Sequence, residues 1–217
     1  MQSLRQAYAR QARTAGFSEH WSGPAEMVER IAALAGTRPD HRVLDLGAGV
    51  GGPARRLAAL AGCRVVAIDL VEQAVRVAAR RGGAVQYAVA DAQALPLGPA
   101  TIDQVWALGI LAHLRDVRRA LEGALRVLRP GGTLVATEVF RGSSEEPAFL
   151  RSAPKPWRPL DTAEAGRRLA AVGFRDVRLL DWPGHAVPQE SPAIDPRLRA
   201  DLAAGRLRSA MVLARRP

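Results

Sequence analysis

The run Val43-Leu44-Asp45-Leu46-Gly47-Ala48-Gly49-Val50-Gly51-Gly52 constrains this chain more than any other feature. An apolar strand-like segment passes into a glycine-rich turn, and the turn opens a segment with helical spacing. Glycine has no Cβ, so the backbone can take positive φ and come close to a ligand. In an open parallel sheet such a turn lies at the carboxyl edge, where ligands bind.

The rest of the chain repeats the strand–helix alternation. Arg42 to Leu46, Arg64 to Asp69, Ala84 to Ala90, Thr101 to Leu108 and Thr133 to Phe140 read as short apolar strands. Gly52 to Leu60, Val71 to Arg80 and Asp116 to Leu128 read as helices, the last stopped by Arg129-Pro130-Gly131-Gly132. Asp161 to Val172 reads as a later helix capped by Gly173. Alternation of this kind implies parallel strands joined by right-handed crossovers. Two further strands, Phe174 to Trp182 and Arg206 to Arg215, have only a loop between them and are expected to pair antiparallel. The expected fold is a Rossmann-like α/β domain. It has a seven-stranded, mostly parallel sheet, helices on both faces and an antiparallel C-terminal strand. Residues 1–23 are expected to form an N-terminal cap segment and residues 24–217 the ligand-binding domain.

Gly47, Gly49 and Gly52 satisfy the spacing of a dinucleotide fingerprint, and Asp69 at the end of the second strand suits ribose hydroxyls. Three features depart from a dinucleotide site. Asp45 lies inside the first strand, where a carboxylate would repel a pyrophosphate but suits an amine. Asp91, in Val89-Ala90-Asp91-Ala92-Gln93-Ala94-Leu95-Pro96, offers a carboxylate to an adenine amino group. The chain also ends in a strand pair, unlike a second dinucleotide half.

The segments VLDLGAGVGG, VVAIDL, VADAQALPL and LRPGGTLVATE, in this order, resemble the motifs of class I methyltransferases dependent on S-adenosylmethionine (SAM). The flavour is that of the small-molecule group with the ubiquinone/menaquinone and tocopherol methyltransferases. The resemblance spans about Arg42 to Phe140. It implies that SAM is the cofactor and S-adenosylhomocysteine the product. Asp45, Gly47, Ala48 and Gly49 would then contact the methionyl part, Asp69 the ribose, and Asp91 with Ala92 the adenine. Leu70 would pack on the adenine face, with Leu108 at the same edge. The implied reaction is transfer of a methyl group to O, N or C of a small molecule, with secondary metabolism as a setting.

Methyl transfer is an in-line displacement, and the enzyme's main task is alignment in a dry pocket. His113, after the fourth strand, is a candidate general base, because imidazole titrates near neutrality. The alternative reading is a residue that caps or orients its loop; Ala112 stands where similar enzymes often carry Glu or His. Glu138, at the end of the fifth strand, is a second catalytic candidate, with pairing to Arg141 or solvent as its alternative. Asp116 reads as a helix N-cap. Tyr8, His20, Trp21 and Trp157 are candidates for the acceptor cavity, with Phe17 in the same N-terminal stretch. His41 is expected at the surface, and His185 has no obvious partner.

Composition narrows the field. The formal net charge is +10, but Lys155 is the sole lysine and the arginines are dispersed in pairs at helical surface positions. That pattern argues against a dedicated nucleic-acid surface. Cys63 is the only cysteine, so no intrachain disulfide or cysteine-based metal site is possible. Four histidines without metal-ligand spacing give no expectation of a metal. No apolar run is long enough to span a bilayer, and Met1 to Phe17 lacks a secretory apolar core while loosely resembling a transit peptide. The expectation is a cytoplasmic enzyme, monomer or homodimer, without a membrane partner. The alternatives are a non-methylating enzyme on this fold (a cyclase or decarboxylase), an RNA or protein methyltransferase, and an NAD-dependent oxidoreductase.

Overall fold

Short β-branched and leucine-rich segments form the strands of one sheet, and alternation along each strand divides its side chains between two faces. The computed structural model describes residues 25–151, 159–182 and 196–217. Helix α1 (Ala25–Ala35) leads into β1 (Arg42–Leu46), α2 (Gly52–Ala61), β2 (Arg64–Asp69), α3 (Glu72–Arg80) and β3 (Val85–Val89). Strand β4 (Ile102–Leu108) is followed by a 3₁₀ turn (Leu111–His113), α4 (Val117–Val127) and β5 (Leu128–Arg141). A second 3₁₀ turn (Phe149–Arg151), α5 (Thr162–Val172), β6 (Arg175–Asp181), α6 (Pro196–Ala203) and β7 (Leu207–Arg215) complete the order. The sheet runs β3-β2-β1-β4-β5-β7-β6. All pairings are parallel except those of β7, which is antiparallel to both β5 and β6. The expected seven-stranded, mostly parallel fold is therefore found.

Two cores sandwich this sheet. Val43, Val65, Ala67, Trp106, Val135, Met211 and Leu213 pack with Met27, Val28 and Ile31 of α1 and Leu57 of α2. Leu44, Leu46, Val105, Leu134, Ala136 and Val212 point the other way, to Leu121 and Ala124 of α4 and Leu169 of α5. Helix α1 descends from the carboxyl edge of the sheet to its amino edge. There the Ala35 carbonyl accepts from Gln104 Nε2 at 2.8 Å, and Gln104 Oε1 accepts from Thr37 Oγ1 and Trp106 Nε1.

Three sequence expectations need correction. The span read as a loop before the last strand contains α6, eight residues long. Its sequence PRLRADLA carries little apolar periodicity, and it is held instead by buried Asp201, which accepts from Phe149 N at 2.7 Å and Arg206 Nε at 2.6 Å. Arg129 to Gly132 bends the chain without separating α4 from its strand. Gly131 takes φ 75°, its N–H donates to the Arg216 carbonyl, and Arg216 N returns a bond to Gly132, so β5 already begins at Leu128. His41 is buried, not at the surface, and its Nδ1 accepts from Arg38 N at 3.3 Å. The cap segment 1–23 and His185 lie outside the described residues. Among the described residues no helix is long and apolar enough to cross a membrane.

Candidate functional site

The period of β1 puts Val43 and Asp45 on the α1/α2 face and Leu44 and Leu46 on the other. Asp45 is thus carried into a buried position, 4% exposed, at the carboxyl end of the central strand. Its carboxylate has no hydrogen-bond partner among the described residues. Burial pushes its pKa up to about 7, and the neighbouring Asp69 carboxylate adds to the shift. An acid in this state is poised to receive a cation.

The glycine turn is required for more than one reason. A Cβ on Gly47 (φ 68°) would lie 2.2 Å from Ile110 Cδ1, and one on Gly51 (φ 76°) would lie 2.6 Å from Tyr87 Oη. Gly49 also has positive φ (55°), yet a Cβ there would meet nothing within 4 Å. So Gly47 and Gly51 serve close packing inside the protein, while the turn at Gly49 borders open space. Gly49 N donates to Asp69 Oδ2 at 2.8 Å, and Val71 N donates to Asp69 Oδ1 at 2.8 Å. Burial raises the Asp69 pKa, and the amides of Val71, Gly49 and Leu70 pull it back. Asp69 therefore ties the first turn to the second, and each of its oxygens keeps a lone pair for a further donor. Ala48 N bonds the Ile68 carbonyl at 3.0 Å, closing the same turn onto β2.

Asp91 follows β3, where Ala90 N bonds the Asp69 carbonyl at 3.1 Å. Its Oδ1 accepts from Gln93 N at 2.8 Å and Gln93 Nε2 at 3.1 Å. Gln93 Oε1 in turn accepts from Asp116 N at 2.8 Å, so this side chain ties the Asp91 loop to the start of α4. The sequence reading missed Gln93; the Asp-x-Gln spacing, typical of a side chain folding back on its own backbone, was the available signal. Ala92 and Leu108 are buried, and Leu70 is half-buried beside Asp69. Asp45, Gly47, Ala48, Gly49, Asp69, Leu70, Asp91 and Ala92 thus gather along the carboxyl edge of β1, β2 and β3, with Leu108 ending β4 alongside.

His113 ends the 3₁₀ turn, its N–H bonded to the Ile110 carbonyl at 2.9 Å. Burial lowers its pKa to about 4, so the imidazole is neutral at physiological pH. Glu138 stands three residues before the end of β5 and not at its end as expected. It shares the α4/α5 face of β5 with Leu134 and Ala136, opposite to the Asp45 face, and it is 5% exposed. Its carboxylate accepts from Leu111 N, and it lines a cavity of about 40 Å³ with Ala112, Phe140, Leu160 and Arg168. Burial pushes its pKa up to about 8 against the pull of the Leu111, Ala112 and Val139 amides. The alternative pairing with Arg141 is not formed, because Arg141 Nη2 bonds Glu146 at 3.0 Å. Asp116 caps α4 as expected, accepting from Arg119 N at 2.9 Å. Tyr8, Phe17, His20, Trp21 and Trp157 lie outside the described residues. Among the described residues no group of three or more His, Cys, Asp or Glu is arranged to hold a metal ion.

Comparison with known proteins gives the family. Residues 44–136 match the family described as a methyltransferase domain. The chain is 38% identical over 165 residues to a 27-O-demethylrifamycin SV methyltransferase of Amycolatopsis mediterranei (strain S699), covering 73% of this chain and 57% of that protein. It is 31% identical over 178 residues to a malonyl-[acyl-carrier protein] O-methyltransferase of Pseudescherichia vulneris, covering 82% of this chain and 67% of that one. Across three other matches the chain spans 45%, 62% and 66% of the relatives' lengths. In fold it is similar to phosphoethanolamine N-methyltransferase 2 of Haemonchus contortus, solved with phosphomonomethylethanolamine and S-adenosylhomocysteine. That likeness has a TM-score of 0.85 at 20% identity, over 99% of this chain and 60% of that one. With its glycine turn, its edge carboxylates and these relatives, the chain belongs to the class I SAM-dependent methyltransferases.

Proposed function

We propose that this chain binds SAM along the carboxyl edge of β1, β2 and β3 and directs its methyl group to a small-molecule acceptor. The observation that carries this reading is Asp45: a buried carboxylate with no partner among the described residues, beside a turn that borders open space at Gly49. Those residues fit a ligand that combines an amine with a sugar and a base. Asp45 takes the methionyl ammonium, and the amides and backbone of Gly47, Ala48 and Gly49 line the amino-acid part. Asp69 holds the ribose hydroxyls with its remaining lone pairs. Asp91 and the Ala92 amide take the adenine edge, Leu70 covers the adenine face, and Leu108 walls the donor side.

When bound, SAM supplies a methyl group already activated by its sulfonium. The chain's own residues align and desolvate. Alignment of two reactants accounts for ~7–11 kcal/mol in well-oriented systems. His113, neutral near pH 7, is in the form that accepts a proton from an acceptor hydroxyl or amine. Glu138 acts at one remove: its grip on Leu111 N fixes the 3₁₀ turn that ends in His113. It is a positioning residue in this scheme. The acceptor is a small molecule, in keeping with the relatives. Tyr8, His20, Trp21 and Trp157, which lie outside the described residues, are proposed as acceptor-binding residues from the sequence alone, and the setting is secondary metabolism.

The test is calorimetric titration of the purified chain with SAM and with S-adenosylhomocysteine, followed by a screen for S-adenosylhomocysteine release. Binding of both, abolished or sharply weakened in Asp45→Ala, is expected. Binding of NADH without either sulfur compound would refute the proposal.

A further inference from the structure

Three buried polar atoms on the α1/α2 side of the sheet have no hydrogen-bond partner among the described residues: Thr137 Oγ1, Ser209 Oγ and Trp182 Nε1. Thr137 is 0% and Trp182 2% exposed. An unmade hydrogen bond of this kind costs ~1–3 kcal/mol, so one such atom calls for an explanation and three together call for a common one.

Strand register brings them together. Leu108 on β4 is opposite Thr137 on β5, and Thr137 is opposite Met211 on β7. Ser209 is two residues from Met211 on the same face and opposite Val139. Trp182 N donates to the Ser209 carbonyl at 3.0 Å, which sets Trp182 beside Ser209 where β6 ends. The strip Leu108–Thr137–Ser209–Trp182 therefore crosses three inter-strand steps of ~4.8 Å each, roughly 14 Å in all, the length of a small organic molecule. Its first member is a donor-side wall, and Gly109 N bonds the Thr137 carbonyl at 2.7 Å. Thr137 follows Val135 in strand parity, and so shares the face of Asp45 and Val43.

We infer that Thr137, Ser209 and Trp182 form the polar floor of the acceptor subsite, and that it takes an uncharged molecule bearing a hydroxyl next to a carbonyl. This rests on the SAM-binding reading above and extends it to the acceptor. Two hydroxyls each give and accept a hydrogen bond, and the indole only gives, which matches a hydroxyl–carbonyl pair. No carboxylate or ammonium stands among the three. Glu138 belongs to the opposite face, and Arg30, an exposed residue, stacks on the Trp182 ring 5.1 Å from its centroid. That stacking holds the indole in place. A charged acceptor group would be desolvated against three neutral polar groups, with only the solvent-screened Arg30 nearby, which is costly. Exclusion of solvent gives the dry surroundings in which donor and acceptor align.

Thr137→Val and Ser209→Ala remove the hydroxyls at nearly constant shape. Calorimetry with S-adenosylhomocysteine comes first, and both variants are expected to match the unmodified protein. Failure of the unmodified protein to bind would strike the SAM-binding reading itself. Urea denaturation of the free protein comes second. Each variant is expected to be as stable as the parent or more so, because a buried group without a partner is removed. A marked loss of stability would show an internal partner and overturn the inference. Third, the protein loaded with S-adenosylhomocysteine is titrated with 2′-hydroxyacetophenone, benzoate and benzylamine. The neutral probe is expected to bind in preference to the two ions and to lose about tenfold in affinity in either variant, the equivalent of one hydrogen bond. Preference for an ion, unchanged affinity in both variants, or no binding of the neutral probe at ~10 mM overturns it.

Discussion

Replacing Asp45 by Asn removes the carboxylate charge at nearly constant shape, exchanging one oxygen for an NH2 group, and the structure gives the size of the effect. The Asp45 pKa is raised from 3.8 to about 7 in the folded protein, first by burial and then by Asp69. A raised acid pKa means that the folded state binds the proton more tightly than the unfolded chain does. Below pH 3.8 both states are protonated and there is no penalty. As pH rises from 3.8 towards 7 the unfolded chain ionises while the folded one does not, and stability falls. Above 7 the penalty levels off at about 4 kcal/mol as an upper figure. Asp45→Asn removes that penalty. The variant is therefore expected to gain little at pH 4 and up to several kcal/mol at pH 8, measured by urea denaturation of the free protein at both pH values. Ligand binding is the mirror image. The methionyl ammonium needs the ionised carboxylate, so S-adenosylhomocysteine affinity should fall about tenfold from pH 8 to pH 6 in the parent. In Asp45→Asn the affinity should be weak and flat over that range. A variant no more stable than the parent at pH 8, with unaltered and still pH-dependent affinity, would refute the reasoning that the buried charge is held for the cofactor.

Gly47→Ala forces φ 68° on a Cβ that meets Ile110 at 2.2 Å; a loss of ~3 kcal/mol or more in urea denaturation is expected. Gly49→Ala carries only the ~1–2 kcal/mol of its positive φ, and its larger effect should appear in S-adenosylhomocysteine calorimetry, since the added methyl enters the open side of the turn. Asp201→Ala leaves the half-buried Phe149 amide without its acceptor and Arg206 with only its ion pair to Glu145, and should cost ~1–3 kcal/mol in thermal or urea unfolding. Glu138→Gln keeps an acceptor for Leu111 N, whereas Glu138→Leu does not. The Leu variant should lose most turnover with cofactor affinity intact while the Gln variant keeps much of it, and equal turnover in both would remove Glu138 from the positioning role. His113→Ala should lower turnover by ~10²-fold or more and leave S-adenosylhomocysteine binding unchanged, with the acid limb of the parent's kcat/KM profile, near pH 4, lost in the variant.

The alternation of strands and helices, and with it a mostly parallel sheet, was legible in the residues alone. Runs such as Val43 to Leu46 and Arg64 to Asp69, each ending at a turn that opens a helix, admit a parallel sheet with its ligand edge at the glycines. Local alternation and turn chemistry are properties of neighbouring residues, and they are legible without contacts. Contacts between residues far apart in the chain set the rest. Helix α6 was invisible because its support is Asp201 reaching to Phe149, 52 residues away, and not an apolar stripe of its own. Two of the glycines proved to be packing requirements because Ile110, just after β4, and Tyr87 of β3 arrive beside them. Asp45 lies near the carboxyl end of β1 and Glu138 near that of β5, with β4 between them, and strand parity sends them to opposite faces, one under the His113 turn and one into the cofactor edge. The state of each carboxylate followed from that: desolvation depends on everything packed around a group, and a one-dimensional sequence does not carry it.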